Sequence, residues 1–306
     1  MKTKLFFTAI IAGAFMSCST SESKNNPADS AAPKDSTKTG ETTPSGKIDP
    51  FKDFPKGTIT ANVGDYVLSP SENWQRDATD KGNDQVTFIF YDQKIAEVGS
   101  EYSKIDFMSN AGVEIPNYMI IPIKSGQTAK KGDILLTWWQ SGSGMKRAIV
   151  TDASNASEPM VNYIDLDWDN PSKNDAGVGI GQQSEKIAAN TFQVISNIWE
   201  SGSSVAAKEG SDYKKATVIK VSGDKVLTIG FAGKMKVYNK SDCTPIAIIP
   251  SVKVGDMVQV PWVGTFKNTK VEKVDAKNGR VWCDDPYSDD PLVIPFGDVT
   301  TGLDIK

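Results

Sequence analysis

Histidine is absent from all 306 residues. That absence removes the Ser-His-Asp and Cys-His mechanisms, histidine zinc sites and histidine-ligated haem together, because each needs an imidazole that titrates near neutrality. Cysteine occurs three times, too few for a thiolate zinc site once Cys18 is set apart from Cys243 and Cys283. No run of Lys or Arg exceeds two residues and the formal charge is −4, so counterion release on a nucleic acid has little to act on. Long apolar stretches are also missing. Leu5 to Met16 is an apolar run of 12 residues, whereas a bilayer span needs about 20.

What is present at the N-terminus has a recognisable order. Lys2 and Lys4 precede the apolar run, and Phe15-Met16-Ser17-Cys18 closes it. This resembles a bacterial lipoprotein signal with a relaxed lipobox, in which residues 1–17 are removed and Cys18 becomes the lipidated N-terminus. A standard lipobox carries Leu where Phe15 stands and a smaller residue where Met16 stands. The resemblance implies a cell-envelope location with a membrane anchor. Ser19, in place of an inner-membrane-retaining Asp, points to the outer membrane, facing either the periplasm or the exterior. Loss of Lys2 and Lys4 takes the mature chain to −6, since residues 1–17 contain no acid.

Residues 19–50 hold four apolar side chains, Ala28, Ala31, Ala32 and Ile48, among Ser, Thr, Lys, Asp, Asn, Gly and Pro. No core can offset the entropy of ordering such a segment. Residues 18–57 are accordingly read as lipidated N-terminus and disordered linker, the polar part from 19 to 50 having a root-mean-square reach of about 30 Å.

From Gly57 onward, short runs rich in β-branched and aromatic residues alternate with Gly, Asn, Asp and Pro, which indicates an all-β fold. Ser222-Gly223-Asp224 and Lys277-Asn278-Gly279 read as hairpin turns. One helix candidate, Ser184–Trp199, competes with a strand at Phe192-Gln193-Val194. Gly-Asp turns open strands at Gly64-Asp65, Gly132-Asp133 and Gly255-Asp256, while Gly210-Ser211-Asp212 offers a poorer version. Lys146-Arg147-Ala148-Ile149-Val150 is similar to Lys214-Lys215-Ala216-Thr217-Val218, and Arg76-Asp77-Ala78-Thr79 is placed as the first unit's counterpart. This order resembles tandem SH3-like and Tudor-like (agenet) small β-barrels, with units at 58–126, 127–205, 206–250 and 251–306. A β-sandwich is the alternative fold.

The resemblance also implies aromatic cages, and seven tryptophans are available to build them. Trp138 and Trp139 are adjacent, so on a strand they face opposite ways and at most one enters the core. Trp138 or Trp139 with Tyr163 or Trp168 is the candidate ligand site. Asp165 to Asn170 alternates like a calcium loop but lacks the required Gly and bidentate Glu, and Ile164, Leu166 and Trp168 instead suggest an amphipathic strand with Asp165 toward solvent. Asp284 to Pro291 is read as a hydrated acidic loop. No metal or cofactor is expected. Cys243 and Cys283 could pair in an oxidising envelope or remain as buried thiols.

The functional expectation is a non-catalytic, lipid-anchored protein that binds an envelope protein, a peptide or a cell-wall glycan, with no nucleic-acid partner. A carboxylate-dependent glycan hydrolase and a surface adhesin are the alternatives, since two acids can cleave glycosides without histidine. The anchor reading predicts that Cys18→Ser abolishes palmitate labelling and moves the chain from the membrane fraction to the soluble one. Unchanged labelling would contradict it.

Overall fold

A computed structural model describes residues 48–81, 86–107, 110–166 and 181–305. The fold is all-β, built from small antiparallel sheets. The first sheet contains β1 (Tyr66–Pro70), β2 (Phe90–Glu97), β3 (Tyr102–Phe107), β4 (Asn110–Pro116) and β5 (Ile121–Pro122). The second contains β6 (Ile134–Trp138), β7 (Met145–Asp152), β8 (Met160–Tyr163), β9 (Ser184–Lys186) and β10 (Phe192–Val194). The third contains β11 (Ser204–Glu209), β12 (Asp212–Ser222), β13 (Lys225–Ile229), β14 (Met235–Asn239) and β15 (Cys243–Pro245). The fourth contains β16 (Met257–Trp262), β17 (Thr265–Asp275), β18 (Arg280–Cys283) and β19 (Leu292–Pro295).

All four follow one plan. Four strands meander in chain order and a fifth returns to lie beside the first, with Thr300 bridging Gln259 in that place in the fourth sheet. The plan originates in the glycine turns. At Gly64-Asp65, Gly132-Asp133 and Gly255-Asp256 the glycine takes a positive φ that only a residue without Cβ adopts cheaply. The aspartate then accepts the backbone N–H three residues back, from Asn62, Lys130 and Lys253 respectively. Each turn also exchanges two backbone bonds with one residue of the second strand, Ile95, Val150 or Val271. Immediately past that residue the second strand bulges and changes partner. A bulge bends the strand and sharpens its twist, which lets a five-stranded meander curl onto its own core.

The third sheet has the same hook at Gly202-Ser203, which exchanges bonds with Val218 ahead of an equivalent bulge. The opening expected at Gly210-Ser211-Asp212 is instead the turn between β11 and β12. The boundary expected at 205/206 accordingly falls inside β11, where Ser204 and Val205 pair with Thr217 and Ala216.

Three further expectations are corrected. The linker does not extend to 57, because Asp49 and Phe54 are each 1% exposed and Phe51 packs against Phe88 and Tyr118. Asn73–Lys81 is a helix, since Trp74 and Ala78, four residues apart, bury one face against the first sheet. That insertion displaces the counterpart strand from residues 76–79 to β2. Ser184–Trp199 forms β9 and β10 rather than a helix. No described helix is long and apolar enough to cross a membrane.

The sheets are not beads on a string. One buried cluster takes side chains from all four, among them Ile115, Ile149, Leu227 and Val281. Units of this size bury a small fraction of their surface and are marginal singly, so a shared core adds burial that each lacks alone. Two buried arginines fasten the junctions. Arg147 on β7, 2% exposed, donates to Asp165, to Ser204 Oγ at 3.0 Å, to the Phe296 carbonyl at 3.3 Å and to Asp298 at 3.1 Å. Arg280 on β18 donates to the carbonyls of Tyr163 and Leu166 at 3.0 and 2.8 Å.

Asp165 lies in a turn after β8, not on the solvated face of a strand. Burial opposes its charge, but the Arg147 guanidinium at 2.6 Å prevails and holds the carboxyl well below its usual range. A lowered folded value contributes stability above the unfolded carboxyl value of about 4. That contribution fades as pH falls toward the folded value. Arg147→Met should cost about 3–5 kcal/mol, because it deprives Asp165 of its guanidinium and leaves Asp298 with only Lys215 and Ser204 at the junction. In urea titrations the wild-type midpoint should drop below about pH 4, while the variant shows a flatter profile. A stability change near zero would contradict this role.

Candidate functional site

Where the sheets converge, a cleft of about 700 Å³ opens. Phe88 and Ile89, just ahead of β2, and Phe90 on it line one side, with Leu136 and Met145 from the second sheet, Ile229 from the third and Pro261 from the fourth. Apolar lining follows from the shared core, of which the cleft is the unfilled margin. Its floor carries the Arg147–Asp165 pair, with Lys146 and Lys215 beside it. Lys215 also reaches Asp298 at 3.4 Å.

The mouth exposes apolar side chains. Phe231 is 80% exposed, and Ile89 is 46% exposed. Phe231 belongs to the turn after β13, which is pinned by a 2.8 Å bond from Gly230 N–H to the Lys234 carbonyl. The turn is also fixed to the first sheet, since Phe88 N–H donates to the Gly233 carbonyl at 2.9 Å. A Cβ on Gly233 would come within 2.6 Å of the Phe88 carbonyl oxygen, so glycine is required there. Ala232 at φ 54 and Val263 at φ 45 hold left-handed backbone next to the cleft. For β-branched Val263 this is a true outlier. Strained turns that present exposed apolar groups to one opening cost stability and gain nothing for the core.

Among the described residues, Trp139 and Tyr163 do not form an open aromatic site. Trp139 is 8% exposed, donates Nε1–H to the Gln182 carbonyl at 2.7 Å and meets Tyr163 edge-on at 6.3 Å. Tyr163 is fully buried and donates to Glu185 at 2.7 Å. Both fill the second sheet's own core. Trp138 does point the other way, half-buried against Tyr91 from the first sheet at 5.7 Å. Trp168 and Cys18 lie outside the described residues.

Other rings carry lysines of this same chain. Lys240 lies 4.6 Å from the Trp199 ring, Lys273 lies 4.2 Å from Trp282, and Lys267 lies 3.5 Å from Trp262 and 4.6 Å from Tyr287. Such contacts stabilise the surface and occupy the face a ligand cation would use. Cys243 and Cys283 are free thiols buried in different packing clusters. Burial pushes them up to about 11 and about 12 respectively. Among the described residues no group of three or more His, Cys, Asp or Glu side chains converges as a metal site.

Sequence reasoning missed the cleft and Phe231. A large aromatic between Gly230 and Ala232-Gly233 was the available signal, since a strand-ending Phe in a glycine-flanked turn has no local core to enter.

No family model and no curated protein matches the chain. Among solved structures, the crystal structure of AGD34 from Arabidopsis thaliana AGDP1, an Agenet/Tudor-like domain, matches with 15% identity and a TM-score of 0.21. The match covers 34% of this chain and 83% of that one.

Proposed function

We propose that this chain is a lipid-anchored bacterial envelope protein whose four SH3-like units jointly bind a polypeptide or cell-wall ligand without transforming it. The observation that carries the reading is the apolar cleft with its exposed, strained rim. Rigidly pinned turns that hold Phe231 and Ile89 toward solvent are costly in a free monomer, and they supply the central apolar anchors that binding sites use.

The chemistry of the cleft favours binding over hydrolysis. A glycosidase needs two carboxylates flanking one bond, within about 10 Å of each other and with one proton held at neutral pH. Asp165 is the acid lining this cleft, and Arg147 keeps it ionised. The polar segment ahead of residue 48, anchored through Cys18, would let the folded part search near the outer membrane.

Purified full-length chain should retain a component of solubilised envelope extract, protein or peptidoglycan fragment, and release no reducing sugar from it. Phe231→Asp and Ile89→Asp should each reduce retention about tenfold or more while the melting temperature stays within a few degrees. Retention equal to wild type in both variants would overturn the cleft as the binding site.

A further inference from the structure

We propose that β14 is a docking edge on which an extended acidic polypeptide adds as a new strand of the third sheet. This rests on the binding reading above and specifies the class of ligand. Three observations carry it.

First, β14 is the edge strand of its sheet, and β13 is its strand partner among the described residues. The ladder is bracketed by bonds from Gly230 N–H to Lys234 O and from Lys240 N–H to Asp224 O. Antiparallel pairs alternate, so Lys236 and Tyr238 direct their backbone groups at β13. Met235, Val237 and Asn239 then direct theirs outward. Outward amides spaced as on a strand match another backbone, and neither a lipid nor a glycan offers that alternation.

Second, a groove of about 630 Å³ reaches β14 from across the sheet, lined also by Glu209 of β11, Lys214 to Ala216 of β12 and Thr228 of β13, and shares Lys215, Gly230, Phe231 and Gly264 with the first cleft. Pro50 and Phe51 give it an apolar wall.

Third, the charge is segregated. Lys146, Lys214, Lys215, Lys234 and Lys236 line the two openings, against Glu209, while Arg147 is neutralised by Asp165 and Asp298 and Lys215 also reaches Asp298, in a chain whose net charge is −4. Lysines along an exposed edge repel a second copy of that edge. The same charges admit an acidic strand and speed its approach.

Glu209 already shows the recognition in miniature. It accepts from Lys236 Nζ at 2.7 Å and from Tyr238 Oη, occupying the place an incoming carboxylate would take. Removing its charge should free Lys236 for the ligand.

The test is fluorescence anisotropy with the full chain and a labelled peptide of alternating Glu and Val with one central Phe, at low and at raised ionic strength. Binding should weaken with salt and disappear when Lys replaces Glu in the peptide. Val237→Pro removes an outward amide while leaving the β13 ladder intact, and should weaken binding about tenfold. N-methylation of alternate peptide amides should do the same without touching the protein, and Glu209→Gln should tighten binding several-fold. Equal binding by Val237→Pro and by the methylated peptide would overturn strand addition. So would binding to phosphatidylglycerol vesicles with none to the peptide. If Phe231→Asp reduces retention of the envelope component while Val237→Pro leaves peptide binding unchanged, the cleft reading survives and this inference fails. If neither substitution has an effect, both fail.

Discussion

The Arg147 guanidinium is the interaction on which the arrangement depends. It is almost wholly buried, and its partners come from three places in the chain: Asp165 in its own unit, Ser204 opening the third sheet, and Phe296 and Asp298 in the last. A buried cation of this kind is tolerable only with every donor engaged, which makes its site geometrically exacting. Asp298 is tied in turn to Ser204 at 2.8 Å and to Lys215. Rotating one unit against another would leave charges unpaired in the interior, so the relative placement of the last three sheets is fixed by the same atoms that floor the cleft.

The repeated plan explains why such a fastening is needed. Each unit curls through one glycine hook and one bulge, which closes a small core with a side left apolar. Packing four of these sides together adds burial to units that are marginal singly. The surfaces do not tile perfectly, and the mismatch at the convergence is the cleft. The cleft is therefore a property of the assembly, arising where units meet rather than inside any one of them.

Local chemistry was legible in the sequence and long-range chemistry was not. The Gly-Asp turns at 64, 132 and 255 stood out because positive φ and an acceptor side chain leave a compositional trace, and the strand runs followed from β-branched periodicity. The third hook escaped because Ser203 takes the position of the aspartate, with Gly202 alone marking the turn. The helix at Asn73–Lys81 was hidden by its polar composition, relying on Trp74 and Ala78 for its buried face. Strand alternation carried past Tyr163 places Asp165 toward solvent, whereas the chain turns there and Arg147 draws the carboxylate inward. Trp139 and Tyr163 were legible as aromatic partners but not as core, since the same pairing serves both purposes. The cleft draws on residues from 87 to 264, a span over which no sequence periodicity operates.

The most direct test of the account is differential scanning calorimetry of the full chain. A single cooperative transition, with calorimetric and van't Hoff enthalpies in agreement, is the result expected of four sheets locked through one interior. Two or more resolved transitions, each with the small enthalpy of an independent unit, would contradict it.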